Sequence, residues 1–297
     1  MQKTLSKAQG VLLLIAVNIL WGLSFIFSKT ALEEGLPTLT LAFIRYCIAS
    51  AVLLPICLRT EGGIRLGKWA PRAFMTTLLG VTLYYFFEYT GLTLTTASTA
   101  SLILSLVPMM TLLWRVFFDH ERISLLRWGM VALSLIGAFL VIGADLSSGS
   151  EAMLGNLLMI CACLCWVGYI IISPKLMNAC SATRVTAWQA IAATITFFPF
   201  ALAEKSSWVF ISAKAWFCIA ILAIFCSALC YILYGVAIRS VDPLTVSLTI
   251  NINPIAACLG GWLFLGEQLT GAQLLGGFMI MLSVLLDAVA PQGENQG

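Results

Sequence analysis

Glu88 stands in the stretch TLYYFFEYTGL, residues 82 to 92, as a single carboxylic acid in a segment otherwise free of charge. Arg45 stands just as alone in LAFIRYCIAS. An ionisable group inside an apolar run is costly in hydrocarbon, so it is a candidate for solute, proton or ion chemistry until a structural partner accounts for it. Glu88 could neutralise an amine or bind and release a proton, and Arg45 could hold a carboxylate with its forked donors. The competing reading is a salt bridge between neighbouring helices, which would also be sensitive to mutation because removing one partner strands the other.

Further polar and aromatic residues recur at helical spacing. Ser101, Ser105 and Pro108 lie at i, i+4 and i+7, and Ser247, Asn251 and Pro254 repeat that pattern. Each set makes a stripe on one helix face, fit either to line a cavity or to join helices. Each proline also frees a carbonyl one turn earlier, at Leu104 and Ile250. Trp21 and Trp166 lie too deep in their segments for an interfacial belt, and flat cavity walls or core packing both fit. Asn18, one turn before Trp21, and Tyr84 with Tyr85 add hydrogen-bonding groups. Asn253 lies off the stripe and reads as a packing contact.

The elements that must hold these residues are membrane spans. Hydrophobic residues make up 61% of the 297 and charged ones 10%, a balance suited to lipid as solvent. Ten apolar windows are expected, near 10–29, 37–58, 71–92, 98–117, 124–143, 153–172, 183–203, 214–236, 243–264 and 270–290. The first could pass for a signal peptide, but no clean cleavage site follows it and it has a counterpart later in the chain. With the N-terminus inside, the outer loops keep only Lys29, Lys205 and Lys214, while the inner ones hold nearly all other basic residues. Both termini are therefore expected in the cytoplasm, and the protein is expected to be a multi-pass protein of the plasma (inner) membrane. The net charge of +3 follows from topology and calls for no nucleic acid.

The chain reads as written twice, at an offset of 144 to 146 residues. Gly10 and Trp21 match Gly155 and Trp166; Pro55 matches Pro199, Gly91 matches Gly235, and Glu121 matches Glu267. Five spans per copy is odd, so the second copy enters from the opposite side. The expected fold is all-α and polytopic, ten transmembrane helices in two inverted five-helix repeats, 1–145 and 146–297, as in secondary transporters. On this topology Glu88 lies roughly 6 Å and Arg45 roughly 10 Å below the outer boundary, at about 1.5 Å per residue. An ion pair, or a polar site used jointly, is within reach. The second-half equivalents are Gln189 and Ile232, so the charge is asymmetric.

The runs ASLILSLVPMMTLLWRVFFDHERIS and VSLTININPIAACLGGWLFLGEQLT, with the Trp21 and Trp166 pair, resemble the EamA-type transporters of the drug/metabolite transporter superfamily. A subset of that family carries a motif similar to FEYTGLTLTTASTASL, which includes Glu88. The resemblance implies a bundle with spans 1 to 4 and 6 to 9 around a central cavity, spans 5 and 10 more peripheral, and transport of small organic solutes.

Other features favour structure over chemistry. CACLC turns Cys163 away from Cys161 and Cys165 on a helix, so metal ligation is not expected. Glu121 and Glu267 precede Ser124 and Thr270, which look like helix N-caps, with Thr270 and Gln273 at capping-box spacing. His120 is the only histidine, too little for a membrane transferase site. The function expected is movement of a small solute, an amino acid or other metabolite, by alternating access, with export favoured by the resemblance. No cofactor or catalytic residue is expected. Protons are the candidate coupling ion, and a membrane enzyme or a non-transporting receptor is the alternative.

Overall fold

A computed structural model of the chain describes residues 6–118, 120, 122–144, 150–204, 211–241 and 249–289. The described residues are helical, without strands. In chain order the helices are α1 (Lys7–Glu33), α2 (Thr38–Glu61), α3 (Ala70–Thr77), α4 (Tyr84–Leu94), α5 (Ala97–Leu104), α6 (Val107–Phe118) and α7 (Leu125–Ala144). Then come α8 (Ser150–Ala179), α9 (Ala182–Ala203), α10 (Ala213–Ile221), α11 (Cys230–Ala237), α12 (Ile252–Gly260) and α13 (Gly271–Val289). Among the described residues seven helical rods are long and apolar enough to cross a membrane, and the rods Ile252–Leu265 and Gly271–Ser283 are shorter. Ten were expected; the window at 243–264 begins outside the described residues.

Hydrocarbon offers backbone groups no partner, which leaves helices as the economical solution for such apolar runs. Large apolar side chains such as Ile195, Phe139 and Phe264 are 67%, 71% and 73% exposed, as lipid-facing groups are. Polar caps mark the ends. Ser6 and Gln9 form a capping box at α1, and Thr96, Ser181 and Ser212 accept from backbone amides of the first turns of α5, α9 and α10.

Among the described residues three rods carry π-helical turns. The α3–α4 rod carries a π-helical turn at Leu78–Leu83, and the α10–α11 rod carries one at Leu222–Leu229, near the equivalent position of the second copy. A third, Gly261–Leu265, follows α12. Pro108 lacks the N–H that would continue the ladder, and the chain tightens there: Ser105 N–H is shared between the Ser101 and Leu102 carbonyls, each at 3.2 Å. Helix resumes at Val107. Asn251 makes the matching turn ahead of Pro254.

Equivalent positions of the two copies meet in the interior. Ser50 of α2 and Thr194 of α9 share a hydroxyl hydrogen bond of 3.2 Å. At one end of this helix pair Arg184 donates to the Glu61 carbonyl at 2.9 Å. At the other, the Glu204 carboxylate accepts from the Leu39 and Thr40 amides at 2.9 and 2.7 Å, capping α2 from the end of α9. Outside the spans, Glu34 pairs with Lys214 at 3.1 Å, and hydrogen bonds from Ser212 and then Lys214 hold its carboxyl below its ordinary range. The α7 and α13 backbones approach so closely that a Cβ on Gly276 would strike the Gly137 carbonyl.

Candidate functional site

Glu88 falls on the first turn and a half of α4, just beyond the π turn, and is 2% exposed. One helical turn earlier the Tyr84 hydroxyl faces the carboxylate. Trp21 of α1 and Trp166 of α8 meet edge to face, centroids 5.9 Å apart and planes at 86°. Tyr84 leans on Trp166 at 5.2 Å, while Tyr231 and Tyr234 of α11 flank Trp21 at 5.4 and 5.3 Å. Trp21 Nε1 donates to the Cys226 carbonyl at 3.1 Å, inside the second π turn, so that turn helps to set the indole plane.

These groups surround a cavity with about 40 Å³ available to the centres of water-sized occupants. That is room for roughly three waters, and a larger solute requires the helices to part. Asn18 donates through Nδ2 to the Leu14 carbonyl and to Thr249, leaving its Oδ1 without a partner. Asn253 Oδ1 is also unpartnered, and both asparagines line the cavity. Leu104 and Ile250 line it too, the two positions whose carbonyls the prolines release. With Glu88, the lining is rich in hydrogen-bond acceptors set among aromatic faces. Such a lining suits a solute that carries N–H donors or positive charge.

Arg45 takes a different place from the one its charge suggested. It is 1% exposed and does not line this cavity. Its Nε donates to Ser227 Oγ at 2.6 Å, and its terminal nitrogens donate to the Tyr89 and Tyr85 hydroxyls at 2.5 and 3.0 Å. Its guanidinium carbon stands 4.4 Å from the Tyr85 ring centroid. Of the two arrangements open in the sequence, the direct ion pair with Glu88 is not formed: the hydroxyls occupy the fork, and the positive charge reaches Glu88 only across a distance. Tyr85 lines the cavity and links the two.

Of the other residues read from the sequence, Trp21, Trp166, Asn18, Tyr84 and Glu88 line the cavity. Ser101 and Ser105 are buried but donate back to the Ser98 and Leu102 carbonyls of their own helix, away from it. Asn251 is 4% exposed, away from it as well, with both amide atoms unpartnered. Ser247 and Glu121 lie outside the described residues. Asn253, read as a packing contact, is part of the lining, as are Tyr231 and Tyr234, which the sequence reading missed. The offset of 144 that holds in this part of the chain carries Phe87 to Tyr231 and Thr90 to Tyr234, so the repeat marked neither tyrosine as lining.

Glu267 has a structural place, though not at the helix it precedes. Its carboxylate accepts from the Ala97 and Ser98 amides at 2.8 and 2.9 Å and from Ser98 Oγ, capping α5 of the first copy. Thr270 and Gln273 make the capping box at α13. His120 is exposed, with φ of 53°. Among the described residues no three His, Cys, Asp or Glu side chains gather as a metal site, and all ten cysteines are free.

A helical bundle of membrane-spanning length, closed around an acidic and aromatic cavity, is the architecture of a membrane carrier. The chain belongs to the EamA-like transporter family, whose model matches it twice, at residues 8–143 and 153–287. It is 25% identical over 298 residues to a probable amino-acid metabolite efflux pump of Salmonella typhimurium, covering 95% of each chain. It is 29% identical over 288 residues to an S-adenosylmethionine/S-adenosylhomocysteine transporter of Chlamydia trachomatis, covering 92% of this chain and 87% of that one. A crystal structure of a protein with 19% sequence identity shares the fold, with a TM-score of 0.69 over 94% of this chain and 97% of the other.

Proposed function

We propose that the protein is a secondary transporter that moves a small amine-bearing solute, an amino acid or other metabolite, outward across the plasma membrane by alternating access. The observation that carries this reading is Glu88, a buried carboxylate on the wall of a cavity made by helices from both copies of the repeat. Trp21 and Trp166, at equivalent positions, supply adjoining aromatic faces set edge to face, and Asn18 and Asn253 supply further acceptors. Ten spans in two inverted halves, 1–145 and 146–297, with both termini cytoplasmic, give the rocking units. The meeting of Ser50 with Thr194 and of Trp21 with Trp166 supports that arrangement, since equivalent positions approach each other only near the relating axis. The names of the Salmonella and Chlamydia relatives support a metabolite as cargo, and the former supports the outward direction.

In this reading Glu88 holds the solute's amine or, when the site is empty, a proton, and exchange between the two couples them. Arg45 is a positioning residue: it orders the Tyr85 and Tyr89 hydroxyls beside the carboxylate. The deciding experiment is a thermal-shift screen of purified protein against amino acids, other metabolites and organic cations, followed by vesicle flux of each hit with and without a pH gradient. Flux of a stabilising solute supports the proposal. Binding without flux contradicts it and points to a receptor.

A further inference from the structure

A second, smaller cavity lies on the other side of Tyr231, a ring that lines both. It offers about 10 Å³ to the centres of water-sized occupants, the space that one water needs. Three buried polar atoms on its lining residues make no hydrogen bond within the protein: Tyr46 Oη, Thr186 Oγ1 and Gln189 Oε1. These residues are 3%, 3% and 2% exposed. The Tyr85, Ser227 and Tyr231 hydroxyls lie nearest Tyr46, the first two accepting from Arg45, and none makes a hydrogen bond with Tyr46 Oη. The Gln189 amide nitrogen is likewise engaged, donating to Thr76 Oγ1 at 2.9 Å. Deep in a bundle such polar atoms are not left bare, and a water needs two to four polar partners to be held.

Tyr46 and Ala190, which both line it, are equivalent positions of the two copies, at the offset of 144 found in this part of the sequence. Val81 comes from the first π turn and Ser227 from the second. A site lined by both members of an equivalent pair lies close to the axis that relates the copies, as the solute cavity with Trp21 and Trp166 does. Wide turns of this kind are common at functional sites.

We infer that Tyr46, Thr186 and Gln189 form a binding site for an ordered water close to this axis, partitioned from the solute cavity by Tyr231. If the copies are inverted, as proposed above, a point close to their axis is at nearly equal depth from both faces. The water then marks where the solute path changes sides. That consequence rests on the transporter reading; the hydration itself does not.

Hydroxyl radicals generated by pulsed X-ray radiolysis label side chains next to bound water even where bulk solvent is excluded. Intact protein in lipid nanodiscs is irradiated, and the labelling rate of Tyr46 is compared with that of Tyr89, which is also buried, 0% exposed against 3%, and lines neither cavity. Tyr46 is expected to label several-fold faster than Tyr89, and the Thr186→Val/Gln189→Leu variant is expected to abolish the difference. The single variants, each checked for a cooperative melt, serve if the double variant does not fold. Labelling of Tyr46 at the Tyr89 rate in the unmodified protein, or an excess that survives both substitutions, overturns the assignment. Neither result depends on whether any solute is transported.

Discussion

The Arg45 guanidinium donates to the Tyr85 hydroxyl at 3.0 Å, and the Glu88 carboxylate one turn further along the same helix rod is left to the cavity. A buried cation satisfied by neutral hydroxyls fixes the tyrosines without consuming the acid. In the proposed function the two ionisable residues divide the work: Arg45 orders the wall and Glu88 meets the solute.

Glu88→Gln keeps the shape of the side chain and removes the charge. Solute flux is expected to fall at least tenfold, or to lose its response to a pH gradient, while membrane insertion and melting temperature stay close to the unmodified protein. Parallel flux and fluorescence-melting measurements check this.

Arg45→Met strands three hydroxyl partners, Ser227, Tyr85 and Tyr89. The expected cost is at least about 3 kcal/mol of stability, the loss of several charge-assisted hydrogen bonds in a buried setting. Arg45→Lys restores the charge but not the fork, so only part of the loss should return. Denaturation in mild detergent measures both.

Glu267→Ala removes the carboxylate that caps α5 across the two copies. Loss of a cap of this kind costs about 1 to 2 kcal/mol. Glu267→Gln, which keeps one accepting oxygen, should fall between the two, read as a graded series of melting temperatures.

Glu34 gives a pH signature at the bundle end. Its carboxyl is held below its ordinary 4.5 by Ser212 and Lys214, so the pair's contribution is complete above that value and is lost as pH falls through the lower folded one. Melting curves of the unmodified protein and of Glu34→Gln should differ modestly near neutrality and converge in acid. A difference that grows in acid would contradict the pairing.

Gly276→Ala tests how tightly α7 and α13 pair. The added methyl would meet the Gly137 carbonyl, a backbone group that cannot rotate aside. A cost of about 1 to 3 kcal/mol is expected, the usual range for overpacking, with no direct effect on the cavity residues.

The sequence disclosed much of this site, because membrane burial makes rare polar residues conspicuous. Glu88, Trp21, Trp166, Asn18 and Tyr84 were legible as lone polar or aromatic groups at span depth, and all five face one cavity. What stayed hidden depended on rotation about helix axes. Ser101 and Ser105 looked like lining because their spacing makes a stripe, yet hydroxyls on a helix can satisfy themselves on their own backbone, as these do. Asn253 was set aside for lying off that stripe, but the turn ahead of Pro254 breaks regular periodicity. The π turns at Leu78–Leu83 and Leu222–Leu229 left no sign in the hydropathy pattern, since one residue of extra winding does not alter an apolar run. Helix pairing by capping across the copies was equally invisible. Glu267 was read as serving its own neighbouring helix, whereas its partners are some 170 residues away.

Solute flux in vesicles made with purified protein tests the central assignment most directly. Loaded with an amine-bearing solute chosen by thermal shift, vesicles carrying the unmodified protein should release it in a saturable way, and those carrying Glu88→Gln should release it at least tenfold more slowly. Equal, saturable release by the two proteins would contradict the placing of Glu88 in the solute site.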